Sequence, residues 1–117
     1  MWTYSISLKT LTASDGNAQW RCKSGGIDNY EPLPVMTYTI GKIRTNFTDQ
    51  RYEGRTGKPW FCELIPQGST KRTGIGIHPD GGPPGTLGCI GLDPNSDTEK
   101  ARNMLKNSIG ETLSVTA

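Results

Sequence analysis

The residues best suited to do chemistry lie in Ile77-His78-Pro79-Asp80-Gly81 and, a short way on, in Thr86-Leu87-Gly88-Cys89-Ile90. A cysteine thiolate attacks acyl carbon. An imidazole within hydrogen-bond reach can take the thiol proton and later give it to a leaving amine. His78 is the chain's one histidine, so any such role falls to it. If the apolar runs on either side of the intervening segment pair as a hairpin, the end of the first faces the start of the second, which sets His78 beside Cys89. Gly88 permits close backbone approach to a substrate, and N–H groups near Cys89 would stabilise the oxyanion of a tetrahedral intermediate. Spacing alone equally fits the commoner fates of these residues, an inert buried cysteine and a surface histidine.

The remaining chemical signals are weaker. Cys22 and Cys62 fall in separate predicted strands. A bridge between them would close a loop of about 40 residues and contribute roughly 3–4 kcal/mol if unstrained, leaving Cys89 as the odd thiol. The alternative is that both are simply buried apolar residues. The three cysteines form no CxxC pair, and with a single histidine they make a poor metal set, so neither a metal nor a cofactor is expected. Gly54-Arg55-Thr56-Gly57-Lys58-Pro59 lacks the spacing and terminal hydroxyl of a phosphate-binding loop. Asn46-Phe47-Thr48 is a sequon of a kind often unused. Trp2, Trp20 and Trp60 sit in predicted strands, where core packing explains them better than sugar stacking.

The elements that must position His78 and Cys89 follow from composition and periodicity. A chain of 117 residues holds one domain, taken as 1–117, and its 15 glycines and 8 prolines argue for short strands joined by turns. Trp2, Tyr4, Ile6 and Leu8 alternate with polar residues, which predicts a half-buried strand over 1–9. Ser14-Asp15-Gly16-Asn17 reads as a turn, and further strands are expected over 18–23, 36–43 and 60–65, around Ile75 and Ile77, and over 89–92 and 111–116. Residues 44–58 read as a long loop. The segment 79–88, with three prolines and four glycines, separates the His78 and Cys89 strands. One helix is expected over 96–109, where Ser96-Asp97-Thr98-Glu99 has capping-box spacing, Ala101, Met104, Leu105 and Ser108 share a face, and Gly110 stops it. The fold class is therefore mostly β, with one substantial C-terminal helix followed by a short strand. A net charge of +2 points to neither nucleic acid nor an anionic membrane as partner, and no apolar run reaches the roughly 20 residues of a membrane span.

The pattern His-x-x-Gly followed by Ser/Thr-x-Gly-Cys-Ile/Val, here His78-Pro79-Asp80-Gly81 and Thr86-Leu87-Gly88-Cys89-Ile90, resembles the signature of L,D-transpeptidase catalytic domains. The upstream segment Pro32-Leu33-Pro34-Val35-Met36-Thr37-Tyr38-Thr39-Ile40-Gly41 is similar to a strand segment of the same domains, so the resemblance spans residues 2–92. It implies an L,D-transpeptidase-like β-sandwich in which Cys89 attacks the carbonyl between the third and fourth residues of a peptidoglycan stem peptide. A D-amino acid is expelled and a thioester forms. Water would then give carboxypeptidase activity and an amine would give exchange or a crosslink; both outcomes stay open. His78 is carried over as general base, Gly88 as part of the oxyanion region and Thr86 as loop support, with Tyr38 and Arg72 as substrate-binding candidates.

The chain departs from the common pattern, which has His before Gly-Cys and Arg two positions after Cys; here Leu87 and Gly91 stand there. Lys71, Arg72, Arg51 and Arg55 are loop cations that could replace the missing arginine, or serve as solvated surface charges. The compactness and the opening Trp-x-Tyr strand resemble antibacterial effectors delivered by type VI secretion. That resemblance implies a bacterial protein without a visible signal peptide, delivered to the periplasm of a target cell by secretion machinery and countered by an immunity protein. A noncatalytic cell-wall-binding or phage-associated β module is the alternative.

Overall fold

The computed structural model of the chain describes residues 1–25, 32–45, 60–70, 74–79, 89–93 and 95–117. Its strands are β1 (Trp2–Ser5), β2 (Thr10–Thr12), β3 (Gln19–Ser24), β4 (Thr37–Arg44), β5 (Phe61–Pro66), β6 (Gly76–Pro79), β7 (Ile90–Leu92) and β8 (Thr112–Thr116), with the helix α1 (Thr98–Lys106) between β7 and β8. They form one sheet in the order β1-β2-β3-β7-β6-β5-β4-β8, which closes when β8 pairs in parallel with β1. The two-layer packing expected of a sandwich is thus achieved by a single sheet curled on itself, which leaves no free edge between β8 and β1.

Alternation decides which residues fill the interior. Trp2, Tyr4, Leu11, Trp20, Tyr38, Ile40, Leu64, Ile77, Ile90, Leu92, Leu113 and Val115 are all buried, and their strand neighbours point outward. All three tryptophans belong to this core, and Trp2 stacks on Trp20 with ring centroids 5.9 Å apart. Burying each such large apolar side chain contributes about 1.5–3 kcal/mol. The indole N–H groups of Trp2 and Trp60 and the Tyr4 hydroxyl have no hydrogen-bond partner among the described residues, which offsets part of that gain.

The first strand is shorter than its alternation predicts. The Ser5 hydroxyl accepts the Leu8 N–H at 3.2 Å and Lys9 adopts a positive φ of 54°. The chain therefore turns after Ser5, leaving Leu8 exposed, and returns as β2. The predicted turn at 14–17 joins β2 to β3, with the Asp15 carboxylate accepting the Asn17 N–H at 2.8 Å.

The helix also starts later than its capping pattern suggests. Asp97, rather than Ser96, is the N-cap, its carboxylate accepting the Lys100 N–H at 3.0 Å, while the Ser96 hydroxyl donates to Asp93 O. Ala101 and Leu105 are buried on the inner face, which packs against β4. The helix also ends earlier than expected, at Lys106, with Asn107 as its C-cap. Gly110 lies in the turn that follows, with a φ of 95°, a conformation few side chains tolerate, and its N–H donates to Ile40 O at 2.8 Å. No described helix is long and apolar enough to cross a membrane.

Candidate active site

The strands carrying His78 and Cys89 do not form a hairpin. β6 and β7 pair in parallel, with Ile77 opposite Ile90, His78 opposite Gly91 and Pro79 opposite Leu92. The hairpin reading fails because side-chain alternation is blind to strand direction: an antiparallel pair would also bring Ile77 against Ile90. Direction matters at the next position. A hairpin would set His78 across from Cys89, whereas parallel pairing sets it across from Gly91, with Cys89 two residues back, just before β7.

The two candidate groups still share a face. Ile77 and Ile90 point into the core, so His78, Gly91 and Cys89 point outward. Continuing the register by one residue places Cys89 opposite Gly76 and diagonal to His78, a relation that spans roughly 7–8 Å between backbones, within reach of an aromatic ring such as imidazole. Gly91 contributes no side chain beside the imidazole. The ring is 5% exposed, and its Nδ1 lies 2.8 Å from Pro79 O. A carbonyl only accepts, so Nδ1 carries the proton in the neutral ring and Nε2 keeps its lone pair.

Cys89 is half-buried, whereas Cys22 and Cys62 are fully buried, and no disulfide joins any of the three. The Cys89 thiol donates to Gly74 O at 3.4 Å. Burial pushes the Cys62 thiol up to about 12 and raises that of Cys22 further, so neither supplies thiolate near neutral pH. The Cys22–Cys62 bridge weighed from the sequence does not form: β7 and β6 lie between their strands, and each thiol sits against backbone carbonyls, Cys22 against Trp20 O at 3.4 Å and Cys62 against Gly41 O at 4.0 Å.

The same face carries a row of residues that the sequence did not single out. Arg44 pairs with Phe61 across β4 and β5, and Lys23 pairs with Gly91 across β3 and β7. With His78 opposite Gly91, the row reads Arg44, Phe61, His78, Gly91, Lys23. Two cations flank the imidazole. Lys23 is exposed and stands across from the glycine that occupies the place of the family pattern's arginine. No signal local to Lys23 could have found it, because its importance comes from β3 lying beside β7, far away in sequence.

Tyr38 is fully buried, and its hydroxyl donates to Pro34 O at 2.7 Å, so it braces the 32–36 segment from inside. Thr86, Gly88 and Arg72 lie outside the described residues, as do Lys71, Arg51, Arg55, the sequon, the 54–59 segment and nearly all of the predicted loop. No group of three or more His, Cys, Asp or Glu side chains among the described residues could hold a metal ion.

A half-exposed thiol and an imidazole with a fixed proton, on one outward face of a closed β sheet, define a candidate Cys–His site. The chain belongs to the L,D-transpeptidase catalytic-domain (YkuD) family, whose profile matches residues 5–109. Among solved structures, its fold is similar to L,D-transpeptidase 1 of Mycobacterium tuberculosis, with a TM-score of 0.64, 16% identity and coverage of 99% of this chain and 58% of that one. It is similar also to the Stackebrandtia nassauensis L,D-transpeptidase, with a TM-score of 0.64, 20% identity and coverage of 99% and 54%. An L,D-transpeptidase from Mycobacterium tuberculosis H37Rv gives a TM-score of 0.65, 21% identity and coverage of 99% and 57%. The chain therefore spans little more than half the length of these structures, and at such identities the likeness is one of fold. No curated protein matches the chain.

Proposed function

We propose that the protein is a cysteine acyltransferase acting on peptidoglycan stem peptides. The observation that carries this reading is the shared outward face of Cys89 and His78, with Nδ1 of His78 tied to Pro79 O and Nε2 left as the basic nitrogen. In the reaction, the Cys89 thiol turns from Gly74 O toward His78, and its proton passes to Nε2. The sulfur then bonds to the carbonyl carbon between the third and fourth stem residues. Backbone N–H groups near Gly88 and Cys89 hold the resulting oxyanion, and Thr86 supports their loop. Collapse breaks the C–N bond, the proton on Nε2 goes to the departing D-amino acid, and a thioester remains on Cys89. Attack by water releases a shortened stem; attack by an amine gives exchange or a crosslink.

Substrate binding in this reading uses the cations of the same face. Lys23 lies across from Gly91 and supplies the charge for a substrate carboxylate. Arg72, outside the described residues, stays a candidate from the sequence, and Tyr38, fully buried, supports the 32–36 segment without touching substrate. The test is mass spectrometry of the protein incubated with a stem tetrapeptide. An adduct on Cys89 with loss of the terminal D-amino acid is expected, absent in Cys89→Ala; turnover by folded Cys89→Ala overturns the reading. The effector role, with its secretion machinery and immunity partner, rests on the sequence resemblance. It predicts growth inhibition on expression directed to the periplasm and none from cytoplasmic expression, and equal inhibition from both would count against it.

A further inference from the structure

We propose that Phe61 is a positioning residue for the catalytic imidazole, held in place by Arg44 and admitted by Gly76. The inference rests on the reading of His78 as the base that serves Cys89.

Phe61 is buried to 3% exposure although it points away from the barrel core: its neighbours Cys62 and Leu64 belong to the core cluster and it does not. The β5–β6 register pairs Cys62 with Ile77 and Glu63 with Gly76, so one residue further along Phe61 stands opposite His78. The two rings stack with centroids 6.1 Å apart and planes inclined by 15°. On the far side, the Arg44 guanidinium carbon sits 5.0 Å from the Phe61 ring centroid, within cation–π range.

Gly76 shows how closely the aromatic ring is fitted. A Cβ built there would come to 2.3 Å from Phe61 Cζ, 2.6 Å from Phe61 Cε1 and 2.5 Å from Cys62 O. The ring thus lies directly across the bare backbone of Gly76, the residue opposite Cys89 in the continued register. Absence of a side chain at Gly76 makes room for the Phe61 ring, which from there stacks beside the imidazole of the residue opposite Phe61. Two constraints then fix His78: the Pro79 carbonyl holds Nδ1–H in the ring plane, and Phe61 covers one face of the ring. Rotation about the Cβ–Cγ bond would break both, so Nε2 keeps one direction. Among the described residues, the charged or titratable groups on the outward side of the neighbouring strands are Lys42 and Arg44 on β4, Glu63 on β5, Arg21 and Lys23 on β3 and Cys89 beside β7, and none of them replaces the aromatic contact.

Because the chain has a single histidine, its ring can be observed directly. The experiment combines 15N–1H spectra of the His78 imidazole with the rate of Cys89 alkylation by iodoacetamide across pH, in the wild type, His78→Gln, Phe61→Leu and Arg44→Gln. Wild type should show the Nδ1–H tautomer and ring protons displaced by the Phe61 ring current. Phe61→Leu should lose that displacement, populate both tautomers and slow alkylation about tenfold, a fraction of what a positioned base contributes. Arg44→Gln, a surface change that leaves the core intact, should give a smaller loss in the same direction and carries the test if Phe61→Leu fails to fold. Wild-type ring signals and alkylation rates in the folded variants overturn the inference. If His78→Gln alkylates as fast as wild type, the base reading fails, while the His78 spectra still decide whether Phe61 orients the ring.

Discussion

Lys23 and His78 stand on either side of a residue that has no side chain, and that gap is where the carboxylate of a bound stem peptide would sit in our reading. The Lys23 side chain is exposed, so its attraction is screened and modest. In our reading its place is at the rim of the reacting centre, two register positions from Cys89, and the same carboxylate is bound in ground and transition states alike. Lys23→Ala should therefore raise KM for a carboxylate-bearing donor about tenfold and leave kcat nearly unchanged. Steady-state kinetics on stem tetrapeptides check this, and a fall in kcat with constant KM would place Lys23 in a different role. His78 and Cys89 could be proposed from the sequence because both sit in one short motif. Lys23, Arg44 and Phe61 were not, since each becomes relevant only through which strand lies next to which.

At the level of elements, the sequence showed where strands are and concealed how they are joined. Ile77 and Ile90 would face each other in a hairpin or in a parallel pair, so periodicity located both runs and left direction open. The opening strand failed for a different reason. The alternation through Leu8 is real, but a local Ser5 hydroxyl contact and the positive φ of Lys9 turn the chain first. Capping was displaced by a single residue for a similar cause: Ser96 is engaged with Asp93 O, which leaves Asp97 to cap α1. Asp97→Ala should then cost about 1 kcal/mol and lower the melting temperature by roughly 4 °C, read by thermal unfolding. The Trp20 indole N–H donates to the Asp97 backbone carbonyl at 3.0 Å and survives the change, so the helix should stay docked on the barrel. A loss near zero would show that the cap contributes nothing to the folded state.

For the molecule as a whole, the thiols of Cys22 and Cys62 and the phenol of Tyr4 lie in the barrel interior, out of reach of water, and this links stability to pH. Cys62 is pushed up to about 12 by burial, and Cys22 and Tyr4 are raised beyond that by the same cause. In the unfolded chain thiols ionise near pH ~8.5. Folded thiols that stay protonated above that point hold protons the unfolded chain has released, so stability is full below pH ~8.5 and falls as pH rises. The window runs from about 8.5 up to about 12, where Cys62 itself ionises in the folded state. Each thiol contributes a slope that approaches about 1.4 kcal/mol per pH unit once the unfolded thiol is fully ionised, so Cys22 and Cys62 together should remove about 2.4 kcal/mol between pH 9 and 10. Urea unfolding at pH 8, 9 and 10 measures this directly. Replacing both by alanine opens cavities and lowers stability at every pH, but it should flatten the alkaline slope. An equally steep slope in the folded double variant would show that the buried thiols are not its source.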